Sequence, residues 1–119
     1  MARAATTADA FNAVAEPRRR EILDALAGGE RSVTDLVATL GIAQPQVSKH
    51  LRVLREVGLV AVREEGRHRM YRLEARPLQP MHAWLERYER MWTARFDRLE
   101  EMLEEMKHDP KEEVDGGSN

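Results

Sequence analysis

Apolar residues recur at helical spacing along most of the chain, and the places where that rhythm stops mark its elements. Val47, Leu51 and Leu54 form one buried stripe, which predicts a helix over about 44–57. Pro45 suits its first turn, where a missing N–H has no partner inside the helix anyway, and Gly58 ends it. Leu36, Val37 and Leu40 give an apolar face to a shorter helix over about 33–40. Its start is written as Ser32-Val-Thr-Asp35, the spacing of a capping box. Further upstream, Ile22, Leu23 and Leu26 stripe a helix that begins at Pro17 and stops before Gly28-Gly29. Phe11, Val14 and Ala15 predict the inward face of a first helix over about 7–15. After residue 58 the period changes. Leu59–Arg63 and His68–Leu73 are rich in β-branched and bulky residues, and Glu64-Glu65-Gly66-Arg67 reads as the turn between two strands.

The last helix is predicted to open at Pro77 and run to about Met106, roughly 45 Å at the standard rise. Leu78, Leu85, Trp92, Leu99 and Met106 recur every seven residues along it. Met81, Tyr88 and Met102 form a second such series, interrupted by Arg95, while Trp84, Met91, Phe96 and Leu103 widen the stripe. A small core cannot cover all of this, and a 3.5-residue repeat favours a seam with another helix. Met81, Leu85, Tyr88, Trp92 and Leu99 are the candidate interface residues. The expected organisation is a disordered arm over 1–6, a folded core over 7–76, the long helix over 77–107 and a disordered tail over 108–119.

Two short helices joined by Gly41-Ile42-Ala43 make a helix-turn-helix, and the hairpin adds a wing. The expected fold is therefore mainly α: a winged helix-turn-helix of about five helices and a two-stranded wing. Opposite the Val47/Leu51/Leu54 stripe lie Ser48, Lys49 and Arg52, with Gln44 and Gln46 at the helix start. Gln and Arg can bond base edges bidentately, and Lys and Ser can reach phosphates or bases. This is the layout of a recognition helix that enters the DNA major groove N-terminus first. Double-stranded DNA is the expected partner.

Charge sharpens that picture. The 119 residues carry a net charge of −2, but residues 1–76 hold 13 basic against 10 acidic residues and 77–119 hold 6 against 11. The excess is greatest over 44–76, with 8 basic and 4 acidic residues, and local potential is what attracts phosphate. There are no cysteines, which excludes disulfides and thiolate metal sites and fits a reducing compartment. No apolar run approaches 18 residues and the N-terminus lacks a signal-peptide core, so a cytoplasmic protein with no membrane partner is expected. Catalysis finds no support: there is no glycine-rich phosphate loop, no cysteine nucleophile, and no serine with a plausible histidine and acid. No cofactor is expected. Histidines at 50, 68, 82 and 108 offer no four-ligand spacing, so no metal is expected. His50 reads as a packing residue. Arg18-Arg19-Arg20 opens the second helix, where positive charge opposes the dipole, so pairing with acidic residues is expected.

Ala15-Glu-Pro-Arg-Arg-Arg-Glu-Ile-Leu23, Ser32-Val-Thr-Asp-Leu36, Gln46-Val-Ser-Lys-His-Leu-Arg-Val-Leu-Arg-Glu-Val-Gly-Leu59 and Gly66-Arg-His-Arg-Met-Tyr-Arg-Leu73 together resemble ArsR-type winged-helix repressors over about residues 8–105. The resemblance implies a prokaryotic transcriptional repressor acting as a homodimer, with terminal helices at the dimer interface. It implies DNA contacts from Gln44, Gln46, Ser48, Lys49 and Arg52 and, in the wing, from Arg67 and Arg69. The metal sites of the family are not matched. Asp35-Leu-Val-Ala38 stands where closely spaced cysteines would be needed, and Pro80 precedes His82 where an aspartate would. The terminal aromatic pattern looks more like the metal-independent branch, leaving an unknown small molecule or protein as effector. Two alternatives remain at this stage: a protein-interaction adaptor built on a winged helix, and a metal-responsive repressor with a His82-centred interface site.

Overall fold

The computed structural model describes residues 5–107; the arm at 1–4 and the tail at 108–119 lie outside the described residues. The elements run α1 (Thr7–Ala15), α2 (Pro17–Ala27), α3 (Val33–Leu40), α4 (Gln44–Glu56), β1 (Val60–Glu65), β2 (His68–Leu73), a 3-10 turn (Arg76–Leu78) and α5 (Gln79–Lys107). They form a winged helix-turn-helix followed by a long terminal helix.

Helix α1 begins at Thr7, where it was expected, but its N-cap falls within the arm expected to be disordered. Thr6 is its N-cap: the Asp9 N–H donates to the Thr6 hydroxyl (3.3 Å) and the Thr6 N–H donates to the Asp9 carboxylate (2.8 Å). Its core face is Ala10 and Ala13, with Val14 half-buried beside them, whereas Ala15 is exposed and Phe11 stays outside the main cluster. The expected face of Phe11, Val14 and Ala15 is thus rotated by about one residue, or roughly 100°. Small side chains turned inward let α1 pack closely.

The arginine triplet of α2 resolves the conflict with its own dipole. Arg18 pairs with Glu21 at 3.0 Å, as expected. Arg19 and Arg20 instead donate backwards, to the carbonyls of Ala13 (2.7 Å) and of Val14 and Ala15 (2.7 and 3.1 Å). They satisfy the last carbonyls of α1, where a helix C-terminus favours cations. One pair of guanidiniums that is unfavourable for the helix carrying it therefore stops the helix before it.

The core is aliphatic. Ile22, Leu36, Val47, Leu51, Leu54 and Leu59 are its largest fully buried side chains, and Tyr71 closes it from β2. Between α3 and α4, Gly41 takes φ 67°, and its N–H donates to the Val37 carbonyl at 2.9 Å. The chain can then turn into α4 without a longer loop.

β1 and β2 pair antiparallel from Val60↔Leu73 to Glu65↔His68. The expected four-residue turn shrinks to Gly66-Arg67, because Glu64 and Glu65 pair within the ladder. Both carboxylates are exposed, so extended pairing costs them no desolvation. Gly66, at φ 61°, supplies the positive φ that a two-residue type II′ turn needs at its first position. Arg31 adds a single rung on the other side of β2, exchanging backbone bonds with Tyr71 at 2.8 and 3.0 Å. Pro77 was expected to open the last helix; it sits in the 3-10 turn, and α5 begins at Gln79 with Pro80 in its first turn.

The described contacts separate two units, the first ending at His82 and the second starting at Ala83. The second is an amphipathic stretch of α5, with Trp84, Tyr88, Met91, Trp92, Phe96, Leu99, Met102, Leu103 and Met106 exposed.

His50 lies on the inner side of α4, as its spacing predicts. Its Nδ1 is buried without a hydrogen-bond partner. Burial, then the charge of Arg19, then Lys49 and Arg18 hold its pKa below the usual 6.5, against the pull of Glu16. The unfolded chain therefore takes up this proton first. Stability from His50 is intact above about pH 6.5 and falls as pH drops towards the folded pKa. Urea unfolding between pH 7.5 and 5 is expected to show that decline, and His50→Gln should flatten it. Gly41→Ala should lower stability by about 1–2 kcal/mol, because no atom obstructs an added Cβ and the cost is the left-handed backbone alone. The same urea series, compared with Ala38→Gly as an ordinary helix control, measures it.

Candidate nucleic-acid interface

Burial of Val47, Leu51 and Leu54 fixes the rotation of α4 and so decides what it displays. Gln44, Gln46, Lys49 and Arg52 are exposed, and Ser48 is half-buried at the edge of the core. The Gln44 amide donates to the Ser48 hydroxyl at 3.1 Å, one turn on, which ties two of the candidate base readers together.

Between α4 and β2 lies an open groove of about 400 Å³, lined by Ser48, Arg52, Arg55, Glu56, Arg69 and Tyr71. It joins Ser48 and Arg52 of the helix to Arg69 of the wing. It does not include Gln44, Gln46 or Lys49, which belong to the first part of α4, nor Arg67, which sits exposed at the wing tip beside His68. Arg55 and Tyr71 were not singled out from sequence. The signal was present: Arg55 lies seven residues after Ser48 and three after Arg52, on one helix face, and Tyr71 lies two residues after Arg69, on one strand face. Three arginines therefore line one groove, with Glu56 as its one acidic lining residue.

The other charges of this region hold the wing. Arg63 in β1 reaches Glu30 with its Nε (2.9 and 3.0 Å) and its outer nitrogen (2.8 Å), and extends to Glu65 at 3.1 Å. The hydrogen bonds from Arg63 hold the Glu30 carboxyl below its usual range, although partial burial opposes this, and the same bonds raise the Arg63 pKa. Arg72 pairs with Glu74 at 3.0 Å. Arg69 has a looser neighbour, Glu64, at 3.9 Å, with both side chains well exposed to screening water. Arg63 and Arg72 are thus anchors of the sheet, and the groove draws on Arg52, Arg55 and Arg69.

In α5, Met81 and Leu85 are half-buried, while Tyr88, Trp92 and Leu99 are exposed by 39%, 47% and 53%. Tyr88 meets Trp84 edge-on with ring centroids 5.2 Å apart and stacks with Trp92 at 6.5 Å. Among the described residues, no three His, Asp or Glu side chains gather as a possible metal-ligand group within one chain. No helix among the described residues is long and apolar enough to cross a membrane.

Residues 16–62, which span α2 to the start of the wing, match the family described as "Bacterial regulatory protein, arsR family". The transcriptional repressor SdpR of Bacillus subtilis is 32% identical over 75 residues, 63% of this chain and 83% of that protein. The HTH-type transcriptional regulator Rv2034 of Mycobacterium tuberculosis is 37% identical over 84 residues, 71% of this chain and 76% of that protein. Among solved structures, an ArsR-like transcriptional regulator from Rhodococcus sp. RHA1 superposes with a TM-score of 0.62 at 29% identity, covering 81% of this chain and 91% of that one. The matched segment contains the helix-turn-helix, and the structural match extends over the wing and beyond. The chain belongs to the ArsR family and is a DNA-binding transcriptional regulator of winged helix-turn-helix type, not an enzyme.

Proposed function

We propose that the protein is a homodimeric transcriptional repressor that holds an inverted-repeat operator with two copies of the α4 and wing surface. The observation that carries the reading is the convergence of Arg52, Arg55 and Arg69 on one groove beside the exposed start of α4. Gln44 and Gln46 lie at the helix end that enters the major groove first and are assigned to base edges. Ser48 is held by Gln44 and completes that set, and Lys49 is assigned to an adjacent phosphate. Arg52 was read from sequence as a base reader. Its place in the groove with Arg55 and Arg69 favours a shared backbone phosphate instead, and Arg67 reaches a second phosphate from the wing tip. Repression fits the name of the Bacillus subtilis relative.

The dimer part of the reading rests on the exposed aromatic stripe of α5. Large apolar side chains exposed in a row are the mark of a surface that is covered in use. A two-fold pair of α4 helices would then meet half-sites whose centres lie about 10 bp apart, or a multiple of that.

Gln46→Ala is expected to relax preference at one half-site position, by roughly 1–3 kcal/mol. Arg52→Ala and Arg69→Ala should each weaken binding evenly across sequences, lower the salt slope by about one, and combine non-additively because they serve one phosphate. Binding of an operator and a scrambled duplex across a salt series measures all three; a sequence preference changed by Arg69→Ala would defeat the assignment. An adaptor with no role on DNA would show no salt-dependent binding at all. Trp92→Glu should convert dimer to monomer in sedimentation equilibrium and reduce operator affinity by orders of magnitude, because an unpaired carboxylate cannot be buried in the seam. A Trp92→Glu protein that still sediments as a dimer would remove α5 from the assembly.

A further inference from the structure

Tyr71 is the one buried side chain in the lining of the basic groove. Arg52, Arg55, Glu56 and Arg69 are exposed and Ser48 is half-buried, whereas Tyr71 is only 7% exposed. Its main chain is held from two sides. Val62 of β1 lies opposite it in the hairpin, and Arg31 exchanges backbone bonds with it at 2.8 and 3.0 Å. Arg31 is itself fastened to α2, since its Nε donates to the Ala25 carbonyl at 3.0 Å. The Tyr71 side chain packs in the aliphatic core. A side chain fixed in this way stays beside the groove it lines.

Its hydroxyl is left over by the fold. No hydrogen bond reaches it among the described residues. Among those residues, the only side-chain polar atom both sealed from solvent and unpartnered is the His50 Nδ1. The Tyr71 oxygen therefore keeps access to water, and the groove is the opening that Tyr71 lines. Core packing makes no use of this atom, because a phenylalanine ring would fill the same space.

The rest of the lining says what such a donor meets. Arg52, Arg55 and Arg69 carry donors and no acceptor. The Ser48 hydroxyl already accepts from the Gln44 amide at 3.1 Å, which leaves its own O–H to donate. Glu56, exposed near the end of α4, is the one acidic group. A surface made almost wholly of donors suits an anion that has several acceptor oxygens and no proton to offer, as a phosphodiester has. Hydrogen bonds from a hydroxyl to such an oxygen are charge-assisted and roughly twice as strong as those between neutral partners.

We propose that the Tyr71 hydroxyl donates to the DNA backbone phosphate gathered by Arg52 and Arg69, as a fixed and uncharged contact on the inner side of the groove. The proposal rests on the phosphate reading above and adds the residue that sets the phosphate's position. A guanidinium on a long exposed stem attracts a phosphate over a range of positions. A hydroxyl anchored to the core holds one only at hydrogen-bond distance, about 2.5–2.7 Å. Tyr71 thereby sets how deeply the backbone enters between α4 and the wing.

An uncharged contact has a signature that no arginine shares. Its loss lowers affinity but changes no counterion release, so the salt slope keeps its value. The measurement is binding of the full chain and of Tyr71→Phe to a duplex selected for binding and to its scrambled counterpart, across a salt series, with Arg52→Ala beside them. Tyr71→Phe is expected to weaken both duplexes by the same factor, about tenfold or more, as for a hydrogen bond to a charged group. Its salt slope should equal the parent's, whereas Arg52→Ala lowers the slope. Its urea midpoint should also equal the parent's, because the deleted oxygen bonds nothing in the free protein. Unchanged affinity overturns the proposal. So does a loss confined to the selected duplex, which makes Tyr71 a reader of bases, and so does a salt slope lowered as far as by Arg52→Ala. A loss of affinity matched by a lower urea midpoint makes Tyr71 a packing residue and overturns it too. A parent chain with no salt-dependent binding to either duplex removes the DNA reading itself, and the proposal with it.

A second arm works from the DNA side. Methylphosphonates placed one at a time along the selected duplex each replace a charged phosphate oxygen by a methyl group. At one position of each half-site the parent should lose affinity and Tyr71→Phe should lose markedly less, since the contact removed is one it no longer makes. Losses that simply multiply at every position overturn the role of Tyr71 while leaving that of Arg52 and Arg69 intact.

Discussion

The contact of Val47, Leu51 and Leu54 with Ile22, Leu36 and Leu59 is the constraint on which the rest depends. All six side chains are buried, and none carries a polar atom. Each contributes on the order of 1.5–3 kcal/mol of burial. Their shared consequence is geometric. A helix with one buried stripe can take only one rotation about its axis, so the same three residues that stabilise α4 also choose which side chains it shows. Leu59 and Tyr71 extend the cluster into the hairpin, which sets β2 beside α4 and brings Arg69 to Arg52 and Arg55. The basic groove is thus a by-product of aliphatic packing.

Much of this was legible because the strongest signals are local. Ser32 with Asp35, Pro17, Pro45 and the Leu51/Leu54 spacing each announce an element by a mechanism that acts over a few residues, and the helices α2, α3 and α4 lie where those signals place them. The errors have local causes as well. Thr6 and Asp9 form a capping box of the same kind as Ser32 and Asp35, but no strong apolar run follows to draw attention to it. Ala10 and Ala13 are small, so a reading that seeks bulk starts from Phe11 and Val14 and takes Ala15 with them. Glu64 and Glu65 look like turn residues by composition, yet a solvated strand end tolerates them. The candidate site divides in the same way. Display from α4 follows from its period, while the meeting of α4 with β2 depends on a tertiary contact that no spacing encodes.

Arginine has three separate tasks in this small molecule, and residue counts cannot tell them apart. Arg19 and Arg20 terminate α1 by accepting nothing and donating to its last carbonyls. Arg63 and Arg72 tie strands to carboxylates. Arg52, Arg55 and Arg69 face the groove. A basic excess over a segment therefore overstates the charge presented to a polyanion. The guanidinium suits all three uses because its donors are many and fixed in a plane, so it satisfies carbonyls and carboxylates with equal ease.

The ion pair between Arg63 and Glu30 gives the protein's response to salt a second origin. The pair joins the wing to the loop before α3 and remains partly open to water, so dissolved ions screen it over the same range in which they compete for phosphate. Raising ionic strength would then loosen the platform on which Arg67 and Arg69 stand while it weakens the phosphate contacts proposed for them. The number of ions that leave on binding, read from such a slope, would include a share released from the protein's own wing, and would exceed the number of phosphates the protein touches.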